Sequence, residues 1–328
     1  MNRENYKKLY NFWLGTSLFL ITCMVIIGGY TRLTGSGLSI TEWSLISGVL
    51  PPLSDTAWQE MFKLYKQIPQ YIEVNFFMDL AGFKKIFWLE YIHRLLGRLI
   101  GLVIIIPAIY FYFSKFANKQ DKYNSLLFTI LVMLQGAIGW FMVSSGLSEL
   151  TLVSHYRLAL HLLTAFILYA LIAIKFFNIT KIKQSESFKK LFLTFYILLI
   201  FQIIYGAFVA GLHAGYIYNE FPLMGNNIYP KEIFFVSITE FFLTNIATIQ
   251  FIHRVTAILL LVIAAILIYK GILKVVLGQA LIVLLALQFL LGISALITII
   301  NIHLAVLHQL FALLLFTTSS IFLTRIKK

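Results

Sequence analysis

The chain has 328 residues, 60% of them hydrophobic and only 12% charged, with a mean hydropathy of +0.89. That balance excludes a soluble globule and describes an integral membrane protein. The net charge of +13 does not describe a nucleic-acid surface, because the basic residues are spread along the chain, and the single cysteine, Cys23, excludes an intramolecular disulfide.

A helix needs roughly 20 apolar residues to cross a hydrocarbon core of about 30 Å. Stretches of that length occupy 12–30, 87–113, 125–144, 157–177, 190–210, 248–269, 276–297 and 302–324, which gives eight spans. Between them the basic residues alternate by side. Arg3, Lys7, Lys8, Lys115, Lys119, Lys122, Lys175, Lys181, Lys183, Lys189, Lys190, Lys270, Lys274, Arg325, Lys327 and Lys328 fall on one side, against Arg32, Lys63, Lys66, Lys84, Lys85 and Lys231 on the other. The positive-inside rule then puts both termini in the cytoplasm. Arg94, Arg98, Arg157 and Arg254 remain, within or at the edges of spans, and each calls for an anionic partner.

The first span ends in Gly28-Gly29-Tyr30-Thr31-Arg32-Leu33-Thr34-Gly35-Ser36-Gly37-Leu38, a turn that either stops a helix or offers backbone N–H groups to an anion. The outer loop from Pro51 to Lys85 contains an amphipathic stretch, Ala57 to Tyr65. Its Trp58, Met61, Phe62 and Tyr65 oppose Glu60 and Lys63, which suits a helix lying on the membrane surface or covering a site. The second span opens with Glu90-Tyr91-Ile92-His93-Arg94-Leu95-Leu96-Gly97-Arg98. The third carries Leu134-Gln135-Gly136-Ala137-Ile138-Gly139-Trp140, and the fourth begins Ser154-His155-Tyr156-Arg157-Leu158-Ala159-Leu160-His161.

Beyond a basic inner loop, Lys175 to Lys190, the pattern returns. The fifth span ends in a glycine-rich run, Gly206 to Gly215, and the sixth opens with Gln250-Phe251-Ile252-His253-Arg254. The seventh carries Leu287-Gln288 and the eighth His308-Gln309. Four spans followed by four similar ones enter the membrane from the same side, so the repeat is parallel, about an axis near the membrane normal. The expected fold is all-α: eight transmembrane helices forming two pseudo-symmetric four-helix bundles, residues 1–182 and 183–328.

Polar groups inside spans are expensive and each needs an account. His155, His213 and His303 fall at span edges, where an interfacial histidine needs no further role. His93, His161, His253 and His308 lie one to two turns inside spans that run inward from the outer face, two in each half and on different helices. Each has a small residue one turn deeper, Gly97, Ala165, Ala257 or Ala312, on the same helix face. Two such histidines can hold a planar iron cofactor from both sides, so the pattern suits two bis-histidine haems, with simple packing histidines as the alternative. Arg94 and Arg254 directly follow two of the proposed ligands and suit haem propionates, although Arg94 can equally pair with Glu90 at i, i+4. Only the first half has a carboxylate at this place; the second has Gln250.

Taken together, Gly29 to Trp43, Glu90-Tyr91-Ile92-His93-Arg94, Tyr156 to His161, Asn219-Glu220-Phe221-Pro222-Leu223-Met224-Gly225 and Phe251-Ile252-His253-Arg254 resemble the haem A synthase family, over nearly the whole chain and closest to its eight-span alphaproteobacterial and mitochondrial type. The resemblance implies oxidation of a methyl group of haem O to a formyl group, giving haem A for cytochrome oxidase. It implies that His93 and His161 flank the substrate haem with Glu90 as the catalytic carboxylate, and that His253 and His308 hold a cofactor haem b. It further implies a cell inner membrane location, with haem O synthase and oxidase assembly factors as partners. The outer-loop cysteine pair of some members is missing. The rival class is a di-haem cytochrome b that passes electrons to or from a quinone and leaves both haems unaltered.

The charge asymmetry makes a direct prediction. Reporter fusions at Asn118, Ser185 and the C-terminus should read cytoplasmic, and fusions near Asp55 and Asn226 external; a cytoplasmic Asn226 would contradict the eight-span topology.

Overall fold

The computed structural model describes residues 2–43, 47–148 and 151–327; Lys328, counted above among the basic residues, lies outside them. Its helices are α1 (Arg3–Leu33), α2 (Asp55–Tyr65), α3 (Leu80–Phe113), α4 (Lys119–Ser148), α5 (His155–Phe176), α6 (Glu186–Gly211), α7 (Ile238–Leu243), α8 (Ile246–Tyr269), α9 (Val276–Ile297) and α10 (Ile302–Arg325). All except α2 and α7 are long and apolar enough to cross a membrane, which makes eight candidate spans among the described residues. The protein is an all-α integral membrane protein. The described strands, β1 (Ile182–Lys183) and β2 (Ile326–Lys327), form a short parallel pairing between the segments after α5 and α10.

Several helices start on a side-chain cap that satisfies backbone N–H groups no helical carbonyl can reach. Asn2, Asp79, Ser185, Asn245 and Asn301 do this for α1, α3, α6, α8 and α10. Asp79 explains why α3 begins well before the apolar run at 87: the cap sets the start, and Lys84 and Lys85 occupy its first turns.

Packing divides the chain into two compact units, Met1–Arg157 and Leu158–Lys328. In the first, α3 packs against both α1 and α4. The apolar face of α2 is turned onto α3 rather than onto lipid: Trp58, Phe62 and Tyr65 are buried with Phe83, Phe87, Tyr91 and Leu38. Trp58 meets Phe87 edge-on at 4.8 Å, and Phe62 stacks on Phe83 at 5.1 Å. α2 therefore covers the outer end of α3. The turn after α1 is a helix stop. The N–H groups of Thr34, Gly35 and Ser36 return to the carbonyls of Tyr30, Arg32 and Thr31, with Gly35 at φ +66°, so these three are not offered to an anion. The carbonyl of Gly35 accepts from Gln70 Nε2 at 3.0 Å, which ties this turn to the outer loop.

In the second unit α6 packs on α8 and α10, and α9 on α10. α5 joins them through Ala159, which is buried with Tyr205, Phe208 and Ile249, and through Phe166 against Phe316. Arg325 adds hydrogen bonds to the carbonyls of Ile174 and Phe177, at 3.2 Å each. The division by packing therefore falls at the head of α5, whereas the repeat in the sequence turns over at 182/183.

Candidate functional site

Glu90 is 2% exposed and has a donor at every side. Its Oε1 accepts from Arg94 Nε at 2.9 Å and Nη2 at 2.6 Å; its Oε2 accepts from Ser39 Oγ at 2.7 Å and the Ile40 N–H at 2.8 Å. Arg94 also donates from Nη2 to the Ile40 carbonyl at 2.7 Å and from Nη1 to that of Glu42 at 3.1 Å. The indole of Trp43 covers the guanidinium, 5.3 Å from its centroid. An i, i+4 pair on one helix face thus grips residues 39–43 of the outer loop.

The second unit repeats the grip with different polarity. Gln250, also 2% exposed, donates from Nε2 to the Tyr218 carbonyl at 3.0 Å. Arg254 donates from Nη2 to the same carbonyl at 2.7 Å, and from Nη1 to those of Glu220 and Leu223 at 2.9 Å each. The loop before α3 presents N–H and hydroxyl donors, and Glu90 accepts them; the loop before α8 presents a carbonyl, and Gln250 donates to it. The difference between Glu90 and Gln250 is therefore matched by the backbone each one faces, in addition to any chemistry it permits.

The expectation that each intramembrane arginine has an anionic partner holds for Arg94. Arg254 binds carbonyls through Nη1 and Nη2, and Arg157 binds the Phe141 carbonyl at 2.7 Å and Ser144 Oγ at 3.1 Å and lies 3.8 Å from the Phe141 ring.

His253 and His308 are near enough to interact electrostatically. His308 Nδ1 lies 3.1 Å from the Gln288 carbonyl, which can only accept, so Nδ1 carries the proton and Nε2 keeps its lone pair. That Nε2 is 3.2 Å from the Gln288 carboxamide nitrogen, and His253 Nε2 is 3.4 Å from that of Gln202. A methyl group on Gly206 of α6 would lie 3.1 Å from Cε1 of His253, and one on Gly292 of α9 would lie 2.9 Å from Cε1 of His308. In the first unit a methyl on Gly28 of α1 would lie 3.0 Å from Cε1 of His93. Gly97, one turn deeper than His93, has Met24 Cε as its neighbour, 3.4 Å from where its Cβ would be. His93 belongs to the first compact unit and His161, half-buried on α5, to the second.

Buried polar atoms are normally hydrogen-bonded. His93 Nδ1, His253 Nδ1, Gln202 Oε1, Gln288 Oε1 and Arg254 Nε are buried without a partner. Two neutral imidazoles on different helices, with spare polar atoms around them and a glycine at each ring edge, fit a planar iron macrocycle bound on its axis. In the sequence Gln288 and the glycines stand out as marks of a repeat and of helix ends, not as neighbours of the histidines, and Gln202 does not stand out. Their signal was the spacing Gln-x-x-x-Gly on the helix preceding a histidine helix.

A family model described as cytochrome oxidase assembly protein matches residues 11–320. The chain is 40% identical over 332 residues to the heme A synthase of Wolbachia sp. subsp. Brugia malayi (strain TRS), with 99% of each chain covered. It is 42% identical over 324 residues to that of Wolbachia pipientis wMel, covering 96% of this chain and 92% of the relative. To that of Pelagibacter ubique (strain HTCC1062) it is 44% identical over 328 residues, covering 97% and 96%.

Losing one partner of a buried, hydrogen-bonded ion pair costs about 3–5 kcal/mol. Arg94→Ala should therefore lower the thermal midpoint and open residues 34–43 to protease, and Arg254→Ala should open residues 218–225 instead. Equal cleavage of both loops in both variants would contradict the two separate grips.

Proposed function

The chain belongs to the family of cytochrome oxidase assembly proteins that includes the haem A synthases, and from that premise we propose that it oxidises a methyl group of haem O to the formyl group of haem A. It is a multi-pass membrane oxidoreductase of haem A formation. The activity is carried by similarity along the whole chain, and the division of roles by one chemical difference between the histidine helices: Glu90 on α3, Gln250 on α8.

In this reading His93 and His161 flank haem O, with Glu90 one turn before His93 on the same helix. His253 and His308 would hold a resident haem b through Nε2: the Nδ1 bond of His308 leaves that nitrogen its lone pair, and the Gln288 carboxamide now facing it would give way. Arg254 Nε, buried and unpartnered, is a donor for a propionate of that haem; Arg94 serves the substrate side, where its nitrogens already share Glu90 and the loop carbonyls. When bound, that haem would relay electrons from the methyl group, one at a time, to an acceptor outside the chain.

Converting a methyl to a formyl group also releases protons and brings in an oxygen atom, and Glu90 is the candidate base. Oε1 of Glu90 is held by Arg94 on its own helix, but Oε2 is held only by Ser39 and Ile40 on a loop. Oε2 is thus the atom that a small movement of residues 39–40 releases, to take a proton or to bond a carbon that has lost electrons. The enzyme would work in the cell inner membrane with both termini cytoplasmic, receiving haem O from its synthase and passing haem A to oxidase assembly factors.

The test uses purified variants and separates ligation from chemistry. His253→Ala and His308→Ala should lose the low-spin b-type absorption, while His155→Ala and His303→Ala keep it. Glu90→Gln should keep haem B and accumulate haem O or a partly oxidised form, with haem A lost. A carboxamide there turns an N–H against either Arg94 or the Ile40 N–H, so it also loosens the loop. Arg94→Gln loosens the same loop with the carboxylate kept, and should still yield some haem A. Haem A at the normal rate from Glu90→Gln would reduce Glu90 to the partner of Arg94.

A further inference from the structure

Glycine in the middle of a helix costs about 0.5–1 kcal/mol relative to alanine, so its presence there calls for a local reason. Backbone freedom is not the reason at Gly28, Gly206 and Gly292, because the glycines with positive φ among the described residues are Gly35, Gly225 and Gly271. The reason is what a side chain would meet. At all three the nearest atom is Cε1 of a histidine on another helix: His93 for Gly28 at 3.0 Å, His253 for Gly206 at 3.1 Å and His308 for Gly292 at 2.9 Å. Other helical glycines are different. Gly101 on α3 and Gly136 on α4 have nothing within 4 Å of where a Cβ would stand.

In the second unit the residue one turn before the glycine takes hold of the same ring. Gln288 meets His308 with its carbonyl at Nδ1 and its carboxamide at Nε2, at 3.1 and 3.2 Å, and Gly292 faces the Cε1 between them. Three consecutive ring atoms of His308 are thus fixed by two residues four apart on α9. From α6, Gln202 and Gly206 face Nε2 and Cε1 of His253, whose Nδ1 has no partner. In the first unit the position four before Gly28 is Met24, so His93 has the glycine without the carboxamide.

We infer that Gly28, Gly206 and Gly292 are positioning residues for the iron-binding imidazoles, and that Gly206 and Gly292, with the Gln288 carbonyl at Nδ1 of His308, set the planes in which His253 and His308 present Nε2 to haem iron. The inference rests on those two histidines being the ligands. The carboxamides of Gln202 and Gln288 leave Nε2 when iron takes its lone pair; a ring still confined at Cε1, and on His308 also at Nδ1, resists turning about its Cβ–Cγ bond, so the angle between the two imidazole planes is set by the helices and not by the haem. That angle governs how the iron d orbitals split, and so the g values of a low-spin ferric haem. A methyl group at 2.9–3.1 Å from Cε1 requires the ring to shift by a few tenths of an ångström.

The experiment is electron paramagnetic resonance and haem content on the purified, haem-loaded full chain carrying Gly206→Ala, Gly292→Ala, or one of the controls Gly101→Ala and Gly136→Ala. The first two should move the largest g value of the b-type signal or lower haem B occupancy several-fold. The controls should leave both where the wild type has them. Wild-type g values and occupancy in both Gly206→Ala and Gly292→Ala would overturn the inference. If Gly292→Ala fails to accumulate, it should be rescued to the level of His308→Ala by combining the two, because the clashing ring is gone; a double variant as poor as the single would also overturn it. The ligand assignment fails separately, if His253→Ala or His308→Ala keeps the wild-type low-spin signal.

Discussion

A guanidinium surrounded by apolar helices needs partners for its donors, and in each half of this chain the outer loop supplies backbone carbonyls to Nη1 and Nη2. Arg94 binds those of Ile40 and Glu42 and the carboxylate of Glu90; Arg254 binds those of Tyr218, Glu220 and Leu223. The histidine next to each arginine inherits a fixed direction. One residue along a helix is about 100° around it, so the face that grips the loop adjoins the face that carries the imidazole. His93 then meets Gly28 on α1, and His253 meets Gly206 on α6. Holding the loop and aiming the histidine are two results of one short sequence, polar-aromatic-Ile-His-Arg.

The two copies differ in what their loops ask of them. Before α3 the loop offers an N–H and a hydroxyl, and only an acceptor fits; before α8 it offers a carbonyl, and only a donor fits. A carboxylate saturated by donors is an anchor, and it becomes a chemical group only when a donor leaves. The donors on Oε2 belong to a loop that α2 and Gln70 hold from outside, through the buried faces of Trp58, Phe62 and Tyr65 and the bond to Gly35. The covering of the outer end of α3 is thereby linked to the state of Glu90.

The spans were legible because an apolar run of membrane length has few alternatives, and the Glu90–Arg94 pair because i and i+4 share a helix face. The amphipathic pattern of α2 was legible too, but not its partner: a stripe of Trp58, Phe62 and Tyr65 suits lipid as well as it suits Phe83 and Phe87. The start of α3 at Leu80 was hidden because Lys84 and Lys85 break the hydropathy, while Asp79 fixes the start. The turn at Gly35 left two readings open, which only the bonds of its N–H groups separate. Gln288 looked like a mark of a repeat, matching Gln135, and Gln202 carried no mark; the position of Gln202 and Gln288 at the Nε2 atoms depends on helix pairing that no local pattern encodes. Packing also assigns α5 to the second unit, through Ala159 and Phe166, where the repeat had grouped it with the first four spans.

The central claim is that one chain holds two haems of different fate, one kept and one altered. It is tested most directly by extracting and separating the haems from the purified wild-type protein, made in cells that supply haem O. The account predicts haem B together with haem O, haem A or an intermediate between them in the same preparation. Haem B alone, filling both sites and unchanged after turnover, would contradict it and describe an electron-transfer cytochrome.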